Sequence, residues 1–380
     1  MHKHPAYRLS ALACLVLLLV GCATPQRDWL NNPLGMADQT HRFDGPIGPP
    51  VSNADADTPP PTAHWQSAPV TTAFPFTELL PSWNVNVGEA SGVKLFVRTR
   101  DAEAGEWSPW LYTGSWGATT DAGKDTTDFE HGEVKVDYLV LDRPADAFEL
   151  RIVFEHSGDE SEDLAAWPQV RKLVAVVSGT IGDPQGRDII VMESKPDPRA
   201  AYDPIDLAVP YRTQQALPAA LRSRTCSPTS TSMVLAFRGA DGPTLENAER
   251  IFDAEYDIYG NWGRAVARAG ELGFDAELAR FRTWAQVRDT LETGQPIIAS
   301  IRFREGEFPS NPMSSTAGHL IVIRGLTAEG DAIVNDPAFR EGGEAIVYKK
   351  EELARAWLGH GGVGYVIGER VVAPADGQGQ

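Results

Sequence analysis

The chain has 380 residues, enough for two domains and a tether, and a formal net charge of −18. A surface that negative argues against nucleic acid and against direct adhesion to anionic lipid, and it favours solubility. The sequence holds no basic run, no glycine-rich phosphate loop and no metal-spaced His/Cys cluster, so no nucleotide, other cofactor or metal is expected.

Residues 1–21 read as an export signal. Lys3 and Arg8 form a positive head, and the apolar run from Leu9 to Val20 is too short to span a bilayer. The run ends in Leu19-Val20-Gly21-Cys22-Ala23, which resembles a bacterial lipoprotein cleavage box. Cleavage before Cys22 would leave lipid on that cysteine, and an anchor with more than one acyl chain is stable. Ala23, not Asp, follows it, so nothing argues for inner-membrane retention. The expected location is the cell envelope, on the outer membrane facing the periplasm.

From Cys22 to residue 71 the chain is rich in Pro, Asp, Asn and Thr and includes Pro59-Pro60-Pro61. It has little to bury and is expected to be an extended or disordered tether. Residues 72–180 read as an all-β sandwich. Alternating β-branched and aromatic runs start at Val93, Trp107, Val134, Phe148 and Val170, separated by Gly, Asp and Pro clusters. Trp83, Trp107, Trp110, Tyr112 and Trp116 are dense enough for a sugar-stacking face, and the same density suits the filling of a sandwich core. The segment looks like the accessory β-sandwiches that flank secreted hydrolases.

A polar connection over 181–206 leads to a last domain at 207–372, followed by a short disordered tail, 373–380. Helical patterns cover 227–238, 244–254, 262–272 and 283–293. Apolar runs at 297–303, 319–325, 332–335, 345–348 and 363–371 read as strands, with another short helix near 350–358. Helices first and an antiparallel sheet after them make an α+β arrangement.

Three cysteines reduce to one reactive candidate. Cys14 leaves with the signal and Cys22 carries lipid, so Cys226 has no disulfide partner in an oxidising compartment. The string TCSPTSTSMVLAF sets Cys226 at the mouth of a helix, with Thr225, Ser227 and Ser230 able to cap free N–H groups. The positive end of the helix dipole favours thiolate. The last domain holds two histidines. His360 lies in a glycine-rich loop with no acid near it in sequence. His319 opens the run HLIVIRG, and the next run, AIVND, ends at Asp336. A hairpin turning near Ala328 or Glu329 brings residue 319 opposite about 336–338, where Asp336 can orient the imidazole.

VPYRTQ from Val209, CSPTSTSMVL from Cys226, GNWGRAV from Gly260, GHLIVIRG from Gly318 and AIVNDP from Ala332 occur in that order. Together they resemble the peptidase family C-39-like domains, relatives of the bacteriocin-leader peptidases with a papain-like fold. The resemblance implies Cys226 as nucleophile, His319 as general base and acid, and Asp336 as orienting residue. It also implies Gln214 as an oxyanion donor beside the Cys226 N–H, with Gln215 adjacent. Ser227 stands where the family commonly has Gly, which would crowd the oxyanion site. The exporter's ATP-binding and transmembrane parts are absent, so leader processing during export is not supported.

The implied activity is hydrolysis of peptide or amide bonds through a thioester, on a peptide or cell-wall peptide, with transpeptidation open. Asn261 and Trp262 are expected to line the substrate cleft. The rival reading is a non-catalytic envelope binding lipoprotein whose sandwich contacts carbohydrate.

Overall fold

The computed structural model describes residues 28–48, 62–156, 167–180 and 203–371. The export signal, Cys22, the tail from 373 and all but the end of the 181–206 connection lie outside the described residues. The N-terminal domain is an antiparallel sheet of β1 (Met36–Ile47), β2 (Thr62–Gln66), β3 (Val70–Asn86), β4 (Ser91–Asp101), β5 (Leu111–Gly117), β6 (Asp128–Phe129), β7 (Gly132–Lys135), β8 (Tyr138–His156) and β9 (Gln169–Thr180). The expected sandwich takes the form of one curled sheet, in the order β1-β9-β3-β8-β4-β5, with β2 and β7 on β8 and β6 on β7.

The curl follows from two long strands that change neighbours along their length. The first half of β3 pairs with β8, and from Glu78 onward the strand pairs with β9. Its register breaks between Thr71 and Phe76, where Pro75 has no N–H to give a ladder. The sheet thereby closes over a core that includes Phe76, Leu79, Trp83, Trp116, Phe148 and Phe154. Trp83 and Trp116 fill this core and Tyr112 is buried against Phe96, so the three form no sugar-stacking face. Of the five aromatics only Trp107 and Trp110 are half-exposed, and Arg98 and Arg151 lie 4.7 and 4.0 Å from the Trp110 ring centroid.

The tether expected over 22–71 is structured wherever it is described. β1 pairs with β9, β2 pairs with β8, and the β1 side chains stay largely half-buried or exposed. A sheet-edge strand is held by its backbone ladder, so it needs no apolar alternation to form. Ahead of it, the Trp284 N–H donates to Leu30 O at 2.8 Å and the Asn32 N–H to Arg282 O at 2.7 Å. The folded part therefore starts by Asp28, some forty residues before the expected boundary.

The C-terminal domain carries α1 (Cys226–Phe237), α2 (Thr244–Ile251), α3 (Trp262–Glu271), α4 (Trp284–Glu292) and α5 (Lys350–Trp357). Its sheet contains β10 (Ile205–Asp206), β11 (Phe274–Arg280), β12 (Ile297–Phe303), β13 (Thr316–Leu326), β14 (Ala332–Asn335), β15 (Ile346–Tyr348) and β16 (Val363–Arg370). The order is β11-β16-β12-β13-β14-β15, antiparallel throughout, with β10 on β13. β10 takes the last residues of the expected connection into the domain. β11, FDAELAR, is an additional strand that its charged, weakly apolar sequence does not announce.

The two domains share a continuous interface. Leu80, Val174 and Val176 of the N-terminal sheet join Ala265, Ala269 and Phe274 in one apolar cluster. Asn84 treats the outer edge of β11 as a partner strand would: its Nδ2 donates to Ala276 O at 2.6 Å and its Oδ1 accepts from Ala276 N at 2.9 Å. α3 approaches this strand closely because it presents glycine there. A Cβ on Gly270 would lie 2.7 Å from Asn84 Cα. Arg282 grips Asp38 with two bonds of 2.7 Å, and Lys172 lies 2.7 Å from both Asp275 and Glu277.

Candidate functional site

α1 runs through the middle of the C-terminal domain, with residues 227–235 all buried. Small side chains allow this, and two of their hydroxyls bond within the helix: Thr229 Oγ1 donates to Thr225 O and Ser232 Oγ to Pro228 O, both at 2.7 Å. Ser230 Oγ reaches across to Leu320 O at 3.0 Å and ties the helix to β13 beside His319. The expected caps are thus not used as caps. No side chain caps the helix, since Thr225 Oγ1 donates back to Leu221 O and Ser227 Oγ pairs with the Tyr365 hydroxyl at 3.2 Å. Ser227 is fully buried and turned toward Tyr365, so it does not crowd the mouth of the helix.

The hairpin of β13 and β14 has the expected register. Val322 faces Asn335, and continuing that pairing puts 319 opposite 338. Asp336 follows the strand end and accepts from His319 Nε2 at 2.7 Å through Oδ1, which also takes the Ala338 N–H at 3.0 Å. Tyr348, fully buried at the end of β15, donates its hydroxyl to Oδ2 at 2.8 Å. His319 hydrogen-bonds Cys226, and with Nε2 committed to Asp336 the nitrogen left for sulfur is Nδ1. Cys226, His319 and Asp336 are therefore brought together.

Their electrostatics are mutually dependent. Burial pushes the Cys226 thiol up, but the hydrogen bond and charge of His319, with the N–H groups of Leu320 and Ser227, outweigh it and hold the thiol below its ordinary value. Burial alone would lower the imidazole. The charge and hydrogen bond of Asp336, joined by Cys226, instead raise it to about 10. Burial likewise works against the Asp336 carboxylate, and the imidazolium, the Ala338 N–H and the Tyr348 hydroxyl carry it below the usual range.

Cys226 opens into a cleft of about 660 Å³. Gly260, Trp262, Arg302, Gly318 and His360 contribute to its lining from the C-terminal domain, and Met36, Glu78 and Tyr138 from the N-terminal region. Three expected site residues fare differently. Trp262 lines the cleft. Asn261 does not: it is buried, caps α3 by accepting from Arg264 N at 3.1 Å, and donates to Asp253 at 2.8 Å. An Asn directly before a helical run is an N-cap signal, which was visible in the sequence. Gln214 also lies off the cleft lining, buried, with Nε2 donating to Arg222 O at 2.5 Å. One N–H of that amide holds the turn leading into α1, its Oε1 is buried without a partner, and Gln215 donates to Ala338 O at 3.1 Å. Tyr348 and Tyr138 are absent from the sequence reading. Tyr348 ends a three-residue strand with no periodicity, and Tyr138 belongs to the other domain. Among the described residues, no group of three or more His, Cys, Asp or Glu could hold a metal ion.

Residues 206–365 match the model of the Peptidase_C39 like family, and residues 47–178 that of the Peptidase C39 N-terminal domain. Matching solved structures include a protein assigned as a C39-like peptidase from Bacillus anthracis, at 17% identity and a TM-score of 0.34, covering 45% of this chain and 100% of that one. Another is a double glycine motif protease from an AMS/PCAT transporter, solved with its leader peptide, at 19% identity and a TM-score of 0.30, covering 43% of this chain and 96% of that one. No curated protein matches the chain.

Proposed function

With a C-terminal domain in the Peptidase_C39 like family and an N-terminal domain that matches the Peptidase C39 N-terminal domain, we propose that this chain is an exported cysteine hydrolase of peptide or amide bonds. The observation that carries the reading is the hydrogen-bonded series Cys226–His319–Asp336 with its thiol in a cleft. A lowered thiol beside a raised imidazole rests as thiolate and imidazolium. The sulfur attacks the substrate carbonyl, and the oxyanion forms against N–H groups at the mouth of α1. The imidazolium gives its proton to the leaving amine, which departs and leaves a thioester. His319 then takes a proton from water, and hydroxide releases the acid and restores the thiolate. Asp336 fixes the ring through Nε2 and stabilises its charge.

The reading includes a lipid anchor on Cys22 in the cell envelope, facing the periplasm from the outer membrane. Five residues separate Cys22 from Asp28, the first described residue, a reach of at most about 22 Å. Such an anchor holds the cleft near the membrane rather than on a long stalk. Cys22→Ser is expected to abolish lipid incorporation and membrane retention.

The test of the chemistry is alkylation of Cys226 by iodoacetamide across pH. The rate is expected to rise well below the free-thiol value of about 8.5, and to change again near pH 10 as His319 loses its proton. His319→Ala should move the rise up to the free-thiol value. A profile that rises only there in both proteins refutes the paired state.

A further inference from the structure

We propose that Tyr138, carried by the N-terminal domain, is a substrate-contact residue of the cleft. Together with Trp262 it forms an aromatic wall that receives an apolar side chain of the peptide substrate near the bond attacked by Cys226. The inference rests on the peptidase reading and goes beyond it, because it makes the N-terminal domain part of the substrate site.

The wall is built across the domain boundary. Tyr138 and Trp262 stack with ring centroids 5.6 Å apart and planes 23° from parallel. Both line the same cleft as Cys226 and both remain half-buried. Large aromatic faces left open in a cleft are apolar surface available to a ligand. The backbone that presents Tyr138 is shaped for the purpose. Val136, a β-branched residue, is held at φ +65°, a conformation such residues rarely adopt. That turn aims Asp137 across the boundary, where its Oδ2 accepts the Trp262 N–H at 2.6 Å. Consecutive residues of one turn thus hold the first residue of α3 by its backbone and by its ring.

The wall is also braced by Arg280 and Glu78, which line the cleft beside it. Arg280 lies 5.8 Å from the Tyr138 ring centroid, donates to Glu78 at 2.6 Å, and donates to Gly361 O at 2.8 Å beside His360 on the rim. The bonds of Asn84 and Arg282 across the interface resist any swing of the N-terminal sheet. A preorganised surface of this kind loses little on binding. Its polar groups are already engaged, Glu78 with Arg280 and Asp137 with the helix. What it offers a substrate is the apolar ring surface that the stacking leaves open in the cleft, which selects an apolar side chain over a small or charged one.

The experiment compares full-length wild type, Tyr138→Ala and Tyr138→Leu on peptides the wild type cleaves and on partners with Gly at the apolar position. Tyr138→Ala is expected to raise KM about tenfold for the apolar peptides, the scale of one lost aromatic contact, with kcat nearly unchanged. The Gly peptides should lose little, and iodoacetamide should still alkylate Cys226 at the wild-type rate. Tyr138→Leu keeps bulk at the boundary, so a KM rise there, with wild-type melting, carries the inference if the alanine variant loosens the domains. Unchanged KM, equal loss on both peptide sets, or a parallel fall in alkylation makes Tyr138 structural and overturns it. A wild type that cleaves no peptide sinks the peptidase reading and this inference with it; a cleaving wild type matched by the variants sinks this inference alone.

Discussion

Tyr348→Phe isolates the contribution of a group that touches neither thiol nor imidazole. The substitution removes one oxygen and leaves the ring in its buried place. The lost bond is a 2.8 Å donation to Oδ2 of a buried carboxylate, and that oxygen accepts no other hydrogen bond among the described residues. A hydrogen bond to a charged group contributes roughly 1.5–3 kcal/mol, so a loss of about 2 kcal/mol is expected at neutral pH. In a domain of this size that lowers Tm by about 4–8 °C. The pH dependence has a definite sign. The folded Asp336 titrates below its ordinary 3.8, so its stabilisation is present above that value and lost as pH falls through the lower folded one. Without Tyr348 the depression is smaller. The gap between the proteins should be full at pH 7 and narrow in acid below about pH 4. Urea unfolding at several pH values reads both quantities. Equal midpoints at pH 7, or a gap that persists unchanged into acid, would refute the view that Tyr348 stabilises the ionised Asp336.

Two further expectations concern the boundary between domains. Asn84→Ala removes both bonds to Ala276 and leaves a buried N–H and C=O of an edge strand unpaired, at a cost of roughly 2–4 kcal/mol. Denaturant unfolding should record that loss, together with faster limited proteolysis between the domains; wild-type values in both would show that Asn84 does not seal the edge. Asp137 is raised to about 7, first by burial and then by the charge of Asp253, against the Trp262 N–H and Arg280. A raised carboxyl gives its full relative stability below the unfolded 3.8 and loses it as pH climbs through about 7. Asp137→Asn keeps an acceptor for Trp262 and does not titrate, so it should gain Tm on the wild type from about pH 4 to 8. Parallel melting curves over that window would count against the buried charge.

Much of the candidate site was legible because it depends on local arithmetic. A Cys at a helix mouth, and a His and an Asp at matched distances from one hairpin turn, need only helix and strand geometry to bring them together. The register from Val322–Asn335 to 319–338 is what two apolar runs and a short turn dictate. The helices from 244 to 292 were legible for the same reason, since their apolar faces repeat within the segment. Failure came where one residue's role is set by a contact that no periodicity announces. Gln214 answers to Arg222 and the turn before α1, and Tyr348 to a carboxylate in another strand. β1 is polar because an edge strand is held by backbone, so composition mistook it for tether.

The boundary between domains was the least legible feature, and it changes how the molecule is understood. Composition and periodicity divide the chain into stalk, sandwich and α+β domain, each with its own pattern. The contacts that join them carry no pattern: an amide standing in for a strand, two glycines on α3, and a turn with a strained valine. These are chemically unremarkable residues whose value lies in close approach. They set the first strands, the curled sheet and the peptidase domain on one scaffold, and they bring Met36, Glu78 and Tyr138 to the cleft that holds Cys226. A thiol can be read from the twelve residues around it. The cleft it opens into is made by segments from Leu34 to Gly361, so its shape is a property of the whole fold rather than of the C-terminal domain alone.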